Sequence, residues 1–251
     1  MKALITGASS GLGREMAFAL AERGCELVLC ARREERLREL AAELPTVCHV
    51  IAADVSDEEE CRLLYSAVRG DDLEIVINNA GFGLFGEFLD TDLDEELRMI
   101  DTNIRAVHIL TKLAVQDFAK RGHGYILNVA SSAGFLPGPL MATYYATKNY
   151  VLRLTQALRE ELRHRNSAVK VCALCPGPVD TEFNKVAGVR FALNGLDAKR
   201  VAREAIDGMF VGKTVIVPGL AMKAITVARH FAPDSLLARI TYHFQHKKGV
   251  K

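Results

Sequence analysis

Two adjacent tyrosines, Tyr144 and Tyr145, precede Lys148 in the segment ATYYATKN, residues 142–149. A phenol beside an ammonium group is able to exchange protons, because the positive charge favours the phenolate. Moving a phenol from its ordinary pKa of about 10 to neutrality requires roughly 4 kcal/mol. A unit charge about 4 Å away supplies a similar free energy at an effective dielectric constant near 20. These residue types therefore predict general acid–base chemistry.

The spacing alone does not select one of the two tyrosines. On a helix, residues three and four positions apart are neighbours, so Lys148 is within reach of either phenol. Two aromatic side chains on a helix are also compatible with an ordinary core. The choice depends on the rest of the chain.

A glycine-rich turn follows the first apolar run and opens a helical segment, with Gly7, Gly11 and Gly13. Glycines let the backbone approach a pyrophosphate, and the helix N-terminus contributes partial positive charge. Such turns are common and often only structural. The position between a strand and an amphipathic helix favours a dinucleotide site.

The second apolar run ends in LCARREE, with Ala31 where an acid would bind the adenosine ribose and Arg32 and Arg33 following. A 2′-phosphate would meet guanidinium groups and no carboxylate, so NADP(H) is favoured over NAD. Alternatively the arginines begin an exposed helix and pair with residues 34–39, an interpretation we apply more to Arg33 than to Arg32. Asp54, followed by Val55, is expected to face the adenine or to cap a helix.

Short aliphatic runs alternate with segments of helical periodicity along the chain. Several runs lack polar alternation, which indicates strands buried on both faces of a parallel sheet covered by helices. We predict one α/β domain over residues 1–251 with a doubly wound sheet of seven strands. The expected strands are 2–6, 26–31, 47–53, 74–79, 125–130, 169–175 and 214–218, and the expected helices include 12–23, 33–43, 57–69, 94–120 and 144–165.

The motifs occur in an order that resembles the short-chain dehydrogenase/reductase family over roughly the first 180 residues. They are TGxxxGxG at 6–13, NNAG at 78–81, Asn103, Ser131, YxxxK at 144–148 and PG at 176–177. The resemblance implies a Rossmann-type fold and hydride transfer between a nicotinamide and a carbonyl or alcohol carbon.

The resemblance also implies roles for individual residues. Tyr144 would exchange the proton, and Ser131, rather than Ser132, would orient the substrate oxygen. Lys148 would lower the pKa of Tyr144 and bind the nicotinamide ribose, while Asn103 would hold a water molecule linking Lys148 to solvent. Together with the glycine turn and the arginine, the resemblance predicts a cofactor site of Gly7, Ser9, Ser10, Gly11, Leu12, Gly13, Arg32, Asp54, Val55, Asn79, Ala80, Gly81, Tyr144, Lys148, Pro176, Gly177, Val179 and Thr181.

Charge and cysteine pattern argue against several other functions. The formal net charge is +1 without a long basic run in the first two hundred residues, so no nucleic-acid partner is expected. The chain enters a strand at once and has no apolar segment of membrane-spanning length, which favours a cytoplasmic protein. Cys172 and Cys175 form a CxxC, but residues three apart on a strand face opposite sides, which argues against a redox pair or metal site.

Three regions are candidates for substrate contact. Apolar loops at 81–88 and 133–139 predict a hydrophobic carbonyl substrate. The segment of about 182–200 interrupts the alternation and is a candidate lid. Its apolar residues are Phe183, Val186, Val189 and Phe191.

The tail of about 219–251 is basic and amphipathic, with six Lys or Arg and one Asp. Such a tail is able to rest on a membrane surface, but we expect it to pack on the body or on a neighbouring subunit. It resembles the C-terminal extension of family members that reduce steroid-like or lipid substrates. The helices at 94–120 and 144–165 match the usual family interfaces, so a homodimer or homotetramer is expected.

Two other functions share this fold. A non-catalytic NADP(H) sensor would not need Ser131, Tyr144 and Lys148 together. An epimerase or dehydratase would share the YxxxK motif but differ in glycine spacing and in length. The sequence therefore favours an oxidoreductase.

Overall fold

The computed structural model describes residues 1–188 and 195–246, and its centre is a sheet of seven parallel strands. The strand order is β3-β2-β1-β4-β5-β6-β7. The predicted α/β fold is confirmed, and the strand positions agree with the apolar runs to within two residues at either end. The strands are β1 Lys2–Thr6, β2 Glu26–Ala31, β3 Cys48–Ala52, β4 Leu73–Asn78, β5 Tyr125–Val129, β6 Lys170–Leu174 and β7 Val215–Ile216.

The sheet is buried on both faces, as the unbroken apolar runs predict. In β1, the consecutive residues Leu4 and Ile5 are fully buried in two different core clusters. Successive side chains of a strand point to opposite faces, so each face needs its own layer of helices. The helices are α1 Gly11–Ala21, α2 Glu34–Glu43, α3 Glu58–Val68, α4 Leu93–Ile100, α5 Val107–Arg121, α6 Ala142–His164, α7 Phe183–Val186, α8 Ala198–Phe210, α9 Leu220–Ala228 and α10 Asp234–His246. Helices α1, α2 and α8 cover one face, while α3, α5 and α6 cover the other.

The predicted helix at 94–120 is interrupted by a π-helical segment, Asp101–Ala106, between α4 and α5. Such a segment inserts extra backbone into a helical turn and is frequent at functional sites. Asn103 lies within it and is fully buried. The periodicity of the sequence indicates the helix but not this local widening.

The C-terminal part adds the helices α8, α9 and α10 after α7. Helix α8 starts at Ala198, inside the expected lid range, and α9 and α10 occupy most of the predicted tail. The lid positions 189–194, which include Val189 and Phe191, and the tail end 247–251 lie outside the described residues. No helix of the described ranges is long and apolar enough to cross a bilayer.

The CxxC cysteines are separated by the sheet. Cys172 and Cys175 are both fully buried, and they belong to different core clusters. Both are free thiols. Burial raises the pKa of Cys175 to about 12, so this thiol stays protonated at neutral pH.

Candidate active site

The candidate site lies where the carboxyl ends of β1 and β4 meet. The chain leaves β1 and β4 towards opposite faces of the sheet, and ligands bind in the crevice at such a point. Thr6 Oγ1 accepts hydrogen bonds from the backbone N–H groups of Asn79 (3.0 Å) and Ala80 (3.1 Å). Asn79 Nδ2 donates to the carbonyls of Thr6 and Gly7, both at 3.0 Å. These bonds fasten the glycine turn to the NNAG segment.

The glycine turn is shaped for close backbone approach. Gly7 has a φ of +64°, and a Cβ there would lie 2.8 Å from the Cα of Ala80. A Cβ on Gly13 would collide with the Gly7 carbonyl oxygen. The first turn of α1 holds no acidic residue, and its N-cap, Ser10, makes no side-chain capping bond. The N-terminus of α1 is therefore suited to an anion.

The contacts of Arg33 contradict its expected pairing with residues 34–39. Its guanidinium does not pair with residues 34–39; Nη2 donates to the hydroxyls of Ser9 (3.2 Å) and Ser10 (3.1 Å) and to Glu182 Oε2 (3.0 Å). These bonds place the Arg33 guanidinium beside Ser9 and Ser10 of the glycine turn. Sequence reasoning preferred Arg32, whose Nη1 lies 3.6 Å from Asp54 Oδ2. Both arginines border the cleft.

Glu182 joins two guanidinium groups at the rim of the cleft. Its Oε1 accepts a hydrogen bond of 2.7 Å from Arg36, and Oε2 accepts the bond from Arg33. The bonds to Arg36 and Arg33 lower the pKa of Glu182 to about 2. Glu182 is therefore an ionised carboxylate at neutral pH and bonds to the guanidinium groups of both Arg33 and Arg36. Arg36 and Glu182 were not recognised in the sequence, because 146 residues separate them.

Asp54 supports the turn after β3 and does not cap α3. Its Oδ1 accepts hydrogen bonds from the backbone N–H (3.0 Å) and the hydroxyl (2.8 Å) of Ser56. The N-cap of α3 is Asp57, whose side chain accepts from the N–H of Glu60. The capping alternative for Asp54 is therefore wrong. Asp54 and the buried Val55 border the cleft.

Asn103 connects the loop after β4 to the helix that carries the tyrosines. Its Oδ1 accepts from the N–H of Phe82 (3.1 Å), and its Nδ2 donates to the Phe82 carbonyl (2.9 Å) and to Thr147 Oγ1 (3.0 Å). Thr147 Oγ1 donates in turn to the carbonyl of Tyr144 at 2.7 Å. A Cβ on Gly81 would lie 2.8 Å from Asn103 Oδ1, so the glycine leaves room for this amide. Thr147 is a site residue that the motif comparison did not reveal.

Tyr144, rather than Tyr145, faces the other candidates. Ser131 is close enough to the Tyr144 phenol to lower its pKa, and Lys148 Nζ lies 5.9 Å from the centre of the Tyr144 ring. Lys148 Nζ also donates to the carbonyl of Val129 at 2.9 Å. The Tyr145 hydroxyl instead accepts a hydrogen bond from Gln245.

Burial sets the protonation states of the central pair. It raises the pKa of Tyr144, and the neighbouring Ser131 offsets only part of the effect. Burial lowers the pKa of Lys148 to about 8. The raised pKa of Tyr144 is opposite to the lowering expected from Lys148, because burial of the phenol disfavours its charged form.

The candidates meet in a single open cavity of about 990 Å³. Every residue predicted for catalysis or cofactor binding lines it except Gly13 and Asn103, which support its wall. At the other end, Phe183 of α7 packs on the Tyr144 ring with centroids 5.4 Å apart. Helices α9 and α10 complete this end with Met222, Ile225, Leu237, Ile240, Phe244 and Gln245. The cavity thus has a polar arm over the glycine turn and a mostly apolar arm beside Tyr144.

The model of the short chain dehydrogenase family matches residues 1–189. A short-chain dehydrogenase from Sphingobium yanoikuyae in complex with NADPH superposes with a TM-score of 0.82 at 32% identity, covering 92% of this chain and 94% of that one. The bulky-bulky ketone specific alcohol dehydrogenase from Comamonas testosteroni superposes with a TM-score of 0.78 at 31% identity, covering 92% of each chain. A short-chain dehydrogenase/reductase from Burkholderia phymatum in complex with NAD superposes with a TM-score of 0.84 at 25% identity, again covering 92% of each chain.

Proposed function

This chain belongs to the short-chain dehydrogenase/reductase family and is an oxidoreductase; on that premise we propose that it uses NADP(H) to interconvert a carbonyl and an alcohol on a hydrophobic small molecule. The observation that carries the proposal is the cluster of Ser131, Tyr144 and Lys148 at the junction of the two arms of the cavity. A nucleotide on one side and a small molecule on the other would both reach the Tyr144 hydroxyl.

The residues of the polar arm fit a dinucleotide. Because Gly7 and Gly13 have no Cβ, a pyrophosphate is able to approach the backbone of the glycine turn closely, and the uncapped N-terminus of α1 favours its negative charge. Arg33, with the hydroxyls of Ser9 and Ser10, supplies donors for a further phosphate. Relatives hold NADPH or NAD, and the arginines support NADP(H) for this chain.

The remaining contacts to the nucleotide follow from the family and from the cavity wall. Asp54 and Val55 would border the adenine, and Asn79 to Gly81 would line the ribose and nicotinamide. Pro176, Gly177, Val179 and Thr181 would contact the carboxamide and pyrophosphate. When bound, the reduced nicotinamide supplies a hydride to the carbonyl carbon.

Tyr144 supplies the proton in the direction of reduction. Its raised pKa keeps the phenol protonated at neutral pH, which is the form that donates. As the C–H bond forms and the carbonyl π bond breaks, the Tyr144 proton passes to the substrate oxygen, which Ser131 orients. Lys148, protonated below about pH 8, then stabilises the phenolate. Asn103, through Thr147, holds the first turns of α6 in position, and a water on Asn103 would return the proton from solvent.

The apolar arm supports a bulky, hydrophobic substrate. Phe183 and the side chains of α9 and α10 would enclose it, so the candidate lid and tail both serve the substrate side. The bulky-ketone specificity of the Comamonas testosteroni relative agrees with this interpretation. We also propose that the chain forms one domain and assembles as a homodimer or homotetramer, as the family commonly does.

The proposal is tested by following NADPH and NADH oxidation with a panel of bulky ketones, aldehydes and quinones. We expect NADPH-dependent reduction of at least one ketone and a loss of kcat of at least about a hundredfold in Tyr144→Phe. Tyr150→Phe is the matched control, because Tyr150 is exposed on the same helix and bonds to His108 outside the cavity. Tight NADPH binding without turnover of any compound would instead support the sensor.

A further inference from the structure

The apolar arm contains a buried amide that the chemistry above does not use. The side chain of Gln245 in α10 is 2% exposed and lines the cavity. Its Nε2 donates to the Tyr145 hydroxyl at 2.6 Å and contacts the sulfur of Met141 at 3.8 Å. Its Oε1 is buried and has no hydrogen-bond partner among the described residues.

An unpaired amide oxygen in such a place is costly, since its water contacts are lost without replacement. Buried polar atoms in proteins nearly always have a partner. The neighbouring side chains of Leu237, Ile240 and Phe244 have no donor, and Thr241, one turn earlier on α10, lines the cavity without bonding to this oxygen. The hydrogen-bond donor that Gln245 Oε1 lacks would therefore come from a molecule bound in the cavity.

Tyr145 adds a second, complementary group. Its hydroxyl accepts from Gln245, and no acceptor for its proton is found in the described part of the chain. Side by side, Tyr145 and Gln245 thus present one free donor and one free acceptor. A hydroxyl group is the simplest function that both donates and accepts.

We propose, on the premise of the carbonyl-reducing function, that Tyr145 and Gln245 form a subsite for a hydroxyl group of an otherwise apolar substrate. The substrate hydroxyl donates to Gln245 Oε1 and accepts from the Tyr145 hydroxyl. The rings of Tyr144 and Tyr145 lie 6.1 Å apart, centroid to centroid, so this hydroxyl sits on the same small molecule as the reacting carbonyl but at a separate position. The substrate class is a bulky hydroxyketone, or the corresponding diol in the oxidative direction.

The test compares β-tetralone with the positional isomers of hydroxy-β-tetralone, each carrying one ring hydroxyl group, as substrates of the whole chain with NADPH. We expect at least one isomer to exceed β-tetralone about tenfold or more in kcat/KM, because a site built to bind a hydroxyl group discriminates against its absence. Gln245→Leu and Tyr145→Phe should each reduce this ratio towards one. His243→Ala, an exposed position of α10, is the matched control and should keep the ratio.

Binding is measured in parallel as the shift in melting temperature when each compound is added to the NADPH-saturated protein. This readout separates the subsite from the chemistry, since Tyr144→Phe should lose turnover but keep the preference for the hydroxylated isomer in binding. If no isomer exceeds β-tetralone in either measurement, or if Gln245→Leu and Tyr145→Phe both keep the wild-type ratio, the subsite is refuted. Reduction of β-tetralone without that preference would leave the proposed function standing.

Discussion

Replacing Arg33 with alanine should weaken NADPH binding while leaving NADH binding nearly unchanged. Arg33 lies over Ser9 and Ser10, where a 2′-phosphate would approach the glycine turn. The nearest competitor is Glu182, which already accepts a hydrogen bond from this guanidinium. The loss of binding free energy in Arg33→Ala is therefore the contribution of the contact between Arg33 and the phosphate, reduced by the contribution of the contact between Arg33 and Glu182 that the phosphate replaces.

The two contributions differ in magnitude. A hydrogen bond to a charged group contributes about 1.5–3 kcal/mol, whereas an exposed ion pair contributes about 0.2–1 kcal/mol. The side chain of Arg33 is 45% exposed, so the lower part of the first range applies. The difference is about 0.5–2 kcal/mol, which corresponds to roughly a two- to thirtyfold increase in the Kd for NADPH.

Isothermal titration calorimetry with both nucleotides measures this change. Arg32→Ala is compared in parallel, and its loss should be smaller, because Arg32 is more exposed (63%) and lies beside Asp54. Arg38→Ala is the matched control, since Arg38 is on α2 but pairs with Glu34 away from the cleft. Equal losses for NADPH and NADH in Arg33→Ala, or a similar loss in Arg38→Ala, would refute the assignment of the phosphate to Arg33.

Three further predictions follow from the same geometry. Gly13→Ala should raise the Kd for NADPH and lower the melting temperature, because the added methyl group collides with the Gly7 carbonyl; unchanged values would contradict the close packing of the glycine turn. Asn103→Ala should lower the free energy of unfolding in urea by about 2–4 kcal/mol, since it leaves buried groups of Phe82 and Thr147 without partners; a loss below about 0.5 kcal/mol would disagree. Lys148 has a pKa lowered from 10.5 to about 8, so between these values the unfolded state holds more protons on this residue, and the contribution of Lys148 to stability should rise with pH. Burial raises the pKa values of the six cysteines, which lowers stability over the same range. The test is therefore the difference in melting temperature between the wild type and Lys148→Met from pH 8 to 10: the wild type should gain stability relative to the variant as the pH rises, and a constant difference would count against the burial of the charge.

The sheet was predictable because its strands are short apolar runs buried on both faces. Strand β1 occupies the predicted range 2–6 itself. The helix at 94–120 was only partly predictable, since amphipathic periodicity does not reveal the extra backbone of the Asp101–Ala106 segment. Helix α8 was missed, although its buried residues Val201, Ala205 and Met209 repeat every four positions. That pattern was available in the sequence.

Most motif residues of the site were predictable in position because they follow a strand or lie on the YxxxK helix, whereas Asn103 lies in the π-helical segment. The choice between Arg32 and Arg33 was not, because it depends on the contacts of Arg33 with the glycine turn and with Glu182, which is 149 residues away in the chain. The pairing of Tyr145 with Gln245 spans 100 residues and has no local signal. Contacts between distant segments are set by packing, and a single sequence does not display them.

Hydride transfer with proton donation by Tyr144 is tested most directly with NADPH deuterated at both positions of nicotinamide C4. Mass spectrometry of the alcohol formed from a bulky ketone should find one deuterium on the former carbonyl carbon. The same reaction with Tyr144→Phe should yield almost no labelled alcohol within the same time. Unlabelled alcohol from the wild-type chain, or equal labelling by Tyr144→Phe at an unchanged rate, would contradict the mechanism.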